Sequence, residues 1–565
     1  MRRPELWLAV ALTVGVLAPV WLVEHPPLQD YPYHLVRAQI LAHYDDPRLG
    51  HAEVFTLSAY PAPYVLADWL TAGLGRLVGI PLAGKVVLSL YLVLFPWGLL
   101  YLAHGLGEGR EVLGYLGFLL VYNWHFHMGF VSYALSLAAG LFALGWWWRS
   151  RRRLTWGRGA ILAALLVVTY LLHIYSLGIV AYALVALALV EGWREGRARG
   201  ALGLVGRTLA ALVPALALLG GAVARSAARV GGGEGPLLLL YGNLERKALL
   251  ALGSLPSFSL VWETALFALG VGTALVLAAA AWRRGRRPEG ALVAAAGALA
   301  VLYLVLPDHV GRVFFVSNRV PLFILFLALV ALPVPATSRP RTAALAIFAA
   351  LAAAHLAALV PRYREIDRKL ADYEAALATL PADARVAFRV DRESMAEGRI
   401  APAALFGGYH YLRAPGSRIP DLEHFVGTLR TVSYRGPAGR RLSTASMGSR
   451  RELAELLGRP WLVGLGGLLV VAGEDPGDRL ETAAEAFGFR EAAACGRLTL
   501  YRKTRPVFDP EPEAPVYATG YEEGYDYRVI YRDPRRGPAP VESGFERTLH
   551  RGWASVDRRI ARSTP

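Results

Sequence analysis

From Leu6 to Val23 the chain carries no charge, and similar apolar runs recur until about residue 360, with short arginine-rich blocks at intervals between them. A bilayer is crossed by roughly 20 apolar residues in a helix. Backbone groups in lipid must satisfy one another, so repeated runs of this kind restrict the fold to a bundle of membrane helices. Composition agrees: over 565 residues only 18% are charged and 55% are hydrophobic, with mean hydropathy +0.37. A soluble chain of this length carries more charge. The net charge of +16 does not point to nucleic acid, because the arginines sit in short blocks between apolar segments. The single cysteine, Cys495, excludes an internal disulfide and a cysteine-based zinc cage. Met1-Arg2-Arg3 before the first run imitates a secretory signal, but no small-x-small cleavage site follows, so it reads as an uncleaved span.

The basic blocks set the topology. Arg2-Arg3, Arg149 with Arg151–Arg153 and Arg158, Arg194 with Arg197 and Arg199, Arg283–Arg287, and Arg339 with Arg341 all belong in the cytoplasm by the positive-inside rule. An even number of crossings must therefore separate each pair. That condition is met if 54–80 is a surface helix, as Pro61, Pro63, Asp68 and Arg76 also suggest. The expected spans are 6–23, 81–103, 112–126, 129–148, 159–173, 174–191, 202–222, 260–281, 290–306, 319–335 and 342–359. This is an α-helical polytopic protein of about eleven transmembrane helices, amino terminus in the cytoplasm, occupying 1–360 and including a first outer loop at 24–80. An extracytoplasmic α/β domain over 361–505 and an irregular tail over 506–565 complete the chain. Strands are expected at 384–390, 461–472 and 498–503, and helices at 362–380 and 480–487.

On this map the chemically versatile residues collect at the outer face. Asp30 and His34 follow the first span in Gln29-Asp30-Tyr31-Pro32-Tyr33-His34. Pro32 suits the first turn of a helix, which would put Asp30 at its start and His34, Arg37 and Leu41 on one side. Asp30 as a mere helix cap is the plain alternative. Asn123-Trp124-His125-Phe126-His127 joins two spans, and its aromatics suit the membrane interface. His125 and His127, with His34, are candidate ligands for a divalent metal ion, against the simpler reading of polar cavity lining. His173 marks the turn of a helical hairpin or lines the same cavity. Arg225, Arg229, Arg312 and Arg319 face outward, against the usual bias, which favours a specific phosphate grip over snorkelling to bulk lipid. Gly407-Gly408-Tyr409-His410-Tyr411 reads either as a turn with surface aromatics or as a segment reaching the membrane face.

A first span, a large outer loop with an acid (Asp30), two juxtamembrane helices (32–43 and 54–76), further spans and an outer carboxy-terminal domain together resemble the GT-C class of membrane glycosyltransferases. That class includes protein O-mannosyltransferases, oligosaccharyltransferases and aminoarabinose transferases. The resemblance implies transfer of a sugar from a polyprenyl-phosphate donor to an acceptor at the outer face of the inner membrane. Asp30 would be the base, His34 would orient it or help hold a metal, and Arg225, Arg312 and Arg319 would bind donor phosphate, with Asn123 and His173 lining the donor site. The loop at Asn123–Gly129 departs from the class pattern in having histidines and no second acid. A transporter or flippase, and a non-catalytic subunit of an envelope glycan assembly complex, are the alternatives from other classes.

Overall fold

The computed structural model describes residues 3–194, 198–229, 239–310, 315–377, 385–390, 396–402, 407–413, 432–434, 446–447, 465–471, 489–495 and 498–503. Helix α1 (Arg3–Trp21) leads into a loop and α2 (Tyr31–Ala42), whose first turn holds Pro32. A short α3 (His51–Val54), strand β1 (Phe55–Leu57) and α4 (Val65–Val78) follow. The stretch 54–80 is therefore not one helix, and the second juxtamembrane helix is α4 alone. Pro61 and Pro63 stop any helix from propagating through the preceding segment. Helix α4 buries Val65, Asp68 and Thr71 against α2 and α5 and exposes Trp69, Leu70, Leu77 and Val78.

Helix α5 (Ile80–Leu106) runs the length of the bundle. The expected span 112–126 is instead broken into α6 (Glu111–Gly114), α7 (Leu116–Leu120) and α8 (Trp124–His127). This segment climbs back along α5, with Gly114 beside Leu100, Gly117 beside Pro96, and the Val121 carbonyl accepting from Tyr91 Oη at 2.8 Å. A Cβ at Gly114 would come within 2.7 Å of the Leu100 Cα, so small residues here permit an approach that larger ones would block. Helix α9 (Val131–Ser150), buried along most of its length, packs most extensively on α5.

Then come α10 (Trp156–Leu172), α11 (Ile174–Arg194) and α12 (Ala198–Arg229), the first capped by Thr155. Strand β2 (Leu239–Leu240), α13 (Leu244–Leu252), α14 (Leu260–Trp282), α15 (Gly290–Val305), β3 (His309–Val310) and α16 (Pro321–Ala331) precede α17 (Ser338–Leu377), one continuous 40-residue helix. Among the described residues seven helices are long and apolar enough to cross a membrane, and three shorter apolar ones are centred on α10, α15 and α16. Their outward residues are apolar, as with Val261, Leu269 and Val276 of α14, which suits lipid rather than water.

Beyond α17 lie β4 (Arg385–Val390), α18 (Gly407–Arg413), β5 (Val432–Tyr434), β6 (Ser446–Met447), β7 (Leu465–Val471), β8 (Phe489–Cys495) and β9 (Leu498–Lys503). A five-stranded mixed sheet has the order β6-β4-β7-β9-β8. The expected strands at 384–390, 461–472 and 498–503 correspond to β4, β7 and β9; the helix expected at 480–487 and the tail from 506 lie outside the described residues. Gly407–Tyr411 is not a turn with surface aromatics. It is the start of α18, which buries Tyr409 and Tyr411 and brings Gly408 against the Pro32 backbone of α2.

The two ends of the bundle differ. At one end Arg110 donates to the Leu332 and Arg287 carbonyls, Arg286 to that of Val334, and Arg194 pairs with Glu289. The arginine blocks thus converge there. At the other end lie the loops bearing Asp30, His125, His127, His173, His309 and Arg319.

Candidate active site

Asp30 occupies the N-cap position of α2, yet its side chain makes no capping hydrogen bond. Its placement comes from the backbone: the Gln29 and Asp30 amides donate to the His127 and Met128 carbonyls, each at 3.0 Å. Gly129, with φ +76°, lets the α8 loop lie flat against Asp30 and Tyr31. On the far side Ala401 N–H donates to Gln29 Oε1 at 2.9 Å, so the 396–402 segment closes over the same loop.

Arg319, in the turn before α16, is buried and lies close enough to Asp30 for the two charges to interact. Its guanidinium stands 5.3 Å from the Phe130 ring centre, 5.4 Å from Tyr175 and 5.8 Å from Tyr133, and donates to the Phe315 carbonyl. His173 meets Tyr64 edge-on at 4.8 Å and Tyr133 at 5.3 Å. An acid, an arginine, a histidine and a wall of tyrosines thus come together from five separate segments. Tyr64 and Phe315, which both adjoin Arg319, hold positive φ values of 69° and 60°. Non-glycine residues adopt such angles at a cost, and they cluster at functional sites.

The other candidates separate. Arg225 is exposed near the end of α12, 4.7 Å above the Tyr60 ring. Arg312 lies outside the described residues. Asn123 is fully buried: its side chain caps α8 at the Phe126 amide and donates to Tyr91 Oη at 3.0 Å. The metal reading of His34, His125 and His127 does not fit. His125 Nε2 is bound to the Asn318 carbonyl at 3.0 Å, His127 Nδ1 to Ser257 Oγ at 2.8 Å, and His34 Nδ1 to Arg37 at 2.9 Å. These partners lie on different segments, and no three metal-ligating side chains converge among the described residues.

Sequence reasoning did not pair Arg37 with Asp68, and it placed Asp308 in an outer loop without giving it a role. Arg37 and Asp68 form a bidentate pair, 2.9 and 2.7 Å, buried between α2 and α4. Burial works against the Asp68 charge, but the Arg37 guanidinium beside it outweighs that and holds its pKa below the usual value. Asp308 accepts from Lys247 Nζ at 3.0 Å and from Ser317 Oγ, which fixes the turn carrying Arg319. Beside it, burial and the positive charge of Arg246 push the His309 imidazole down to about 4.

These features describe a polytopic membrane protein of the GT-C fold. Among solved structures, ArnT from Cupriavidus metallidurans in the apo state aligns with a TM-score of 0.54 at 12% identity, covering 88% of this chain and 98% of that one. ArnT is an aminoarabinose transferase. At this identity the likeness establishes the fold alone. No sequence-family model matches the chain, and no curated protein does.

Proposed function

We propose that the chain is a membrane glycosyltransferase that moves a sugar from a polyprenyl-phosphate donor to an acceptor hydroxyl at one membrane face. The observation that carries this reading is that the Asp30 loop, held to the Met128 carbonyl, and the buried Arg319, over the Phe130 ring, flank the same turn at the end of the bundle away from the arginine blocks. The ArnT-like fold supports the same class. Asp30 takes the proton from the acceptor hydroxyl as its oxygen attacks the anomeric carbon of the sugar. The bond from that carbon to the phosphate oxygen breaks, and the polyprenyl phosphate departs with the electron pair. Arg319 offsets the charge left on that phosphate. His34 orients Asp30, while His173 and the tyrosines around Arg319 line the place of the sugar. Arg225, and Arg312 by its sequence position, extend the grip on the lipid phosphate. In this reading the arginine-block end is cytoplasmic, eleven crossings span the inner membrane, and 361–505 forms an extracytoplasmic domain.

Asp30→Asn in proteoliposomes supplied with polyprenyl-phosphate sugars tests the reading. Turnover should fall about 100- to 10,000-fold, the usual cost of losing a catalytic base. Because the Asp30 side chain does not cap α2, and Asn caps well in any case, stability should hardly change. Transfer at the parental rate would remove Asp30 from the mechanism.

A further inference from the structure

Arg37 Nη2 lies 2.9 Å from His34 Nδ1 and 2.7 Å from Asp68 Oδ1, while Arg37 Nε donates to Asp68 Oδ2 at 2.9 Å. Arginine has only donors and does not lose its proton, so the His34 contact requires a lone pair on Nδ1. His34 Nδ1 stands 3.9 Å from Asp68 Oδ1, too far for a hydrogen bond, so the carboxylate does not compete for that nitrogen. The imidazole proton therefore belongs on Nε2, at the opposite edge of the ring.

The pair that imposes this is rigid. Arg37 is fully buried and Asp68 nearly so, and together they lock α2 to α4. A bidentate fork of this kind fixes the guanidinium plane and not merely its charge. His34 is half-buried and sits four residues after Asp30, whose carbonyl lies 3.4 Å from the His34 amide nitrogen. Side chains at i and i+4 share a helix face, and the later one leans back over the earlier.

We propose that the Arg37–Asp68 pair is a positioning device for the reaction, holding His34 as a neutral imidazole whose Nε2–H is presented on the face of α2 that carries Asp30. The inference rests on the role assigned to Asp30 above. A donor on that face fixes the carboxylate rotamer and favours its ionised form. Arg37 and Asp68 act through His34 and touch no substrate.

The test replaces both charges at once, Arg37→Met with Asp68→Leu, because removing one alone strands a buried charge, whereas replacing a buried pair with apolar side chains is often neutral for folding. With a polyprenyl-phosphate sugar as donor, kcat should fall about 10- to 100-fold, the usual effect of losing an orienting partner. KM should stay within about threefold. In a His34→Ala background the same double change should cost less than about threefold, since nothing remains for it to act through. A purely structural role predicts equal losses in both backgrounds, which would overturn the proposal. A second readout needs no turnover: nitrogen NMR of protein labelled with 15N-histidine, the His34 signals being those absent from His34→Ala. The parent should show Nδ1 bare and Nε2 protonated, and the double variant a tautomer mixture. A mixture already present in the parent, or a single tautomer that survives the double change, overturns the proposal even if the chain transfers no sugar. Absent transfer with the expected spectra would instead fault only the assigned reaction.

Discussion

The backbone amide and the ring Nδ1 of His25 both reach the same oxygen of Asp367, at 2.8 and 3.0 Å, across 342 positions of sequence. Its Nε2 reaches Glu374 at 3.1 Å, so this buried imidazole is clamped between two carboxylates of α17. Arg413 and His410 of α18 adjoin Glu374, Arg413 also binds Glu24, and Tyr409 stacks edge-on against His25. Lys85 of α5 closes the cluster at the Val23 carbonyl.

The clamp makes stability depend on pH. Burial alone would lower the His25 pKa, but the hydrogen bonds to Asp367 and Glu374 outweigh it and raise the value from 6.5 to about 9. A folded-state pKa above the unfolded one stabilises fully below about pH 6.5, and that contribution is lost as pH rises through 9. The difference is on the order of 3 kcal/mol. The thermal midpoint in detergent should fall between pH 7 and 10, and His25→Gln should flatten that fall. An equally steep fall in the variant would assign the dependence elsewhere.

Gly129→Ala should disturb the Asp30 loop. The left-handed backbone costs about 1–2 kcal/mol for a residue with a Cβ, and that Cβ would meet the Asp30 and Tyr31 amide nitrogens at 2.6 and 2.7 Å. Gly79 shares the left-handed φ but has open space around it. Gly79→Ala should therefore lower the thermal midpoint less, and equal shifts would show that the Asp30 contact is unimportant.

Arg319→Ala should act on the lipid-linked donor. A hydrogen bond to a charged group contributes about 1.5–3 kcal/mol, so the donor KM should rise about 10- to 100-fold, with a smaller loss at saturating lipid. A fall in kcat at unchanged KM would mean that Arg319 does not bind the ground-state donor.

The proposed sidedness rests on the arginine blocks and is open to a direct test. An alkaline phosphatase fused after the last residue should be active in intact cells, and a cytoplasmic reporter at the same point silent. The opposite pattern would invert the bundle.

How much of this was legible beforehand depends on the range of the forces involved. Apolar run length and the placement of arginine blocks are local properties, so the polytopic class, most of the helices and the one-ended grouping of reactive residues could be read directly. Pro32 announced the start of α2, and the alternating or apolar runs announced β4, β7 and β9. The breaks in 111–127 were hidden because they depend on how closely Gly114 and Gly117 approach α5. Pro61 and Pro63 are a local reason for the break in the expected 54–80 helix, but the strand β1 that precedes them pairs with β5, hundreds of residues away. Arg37 with Asp68, His25 with Asp367 and Glu374, and Asp30 with Arg319 are likewise tertiary facts. Asp30 and Arg319 read from the sequence as site candidates and the other charges as surface ones, and only the packed bundle, by excluding water and opposing segments distant in sequence, decides which charges must find one another.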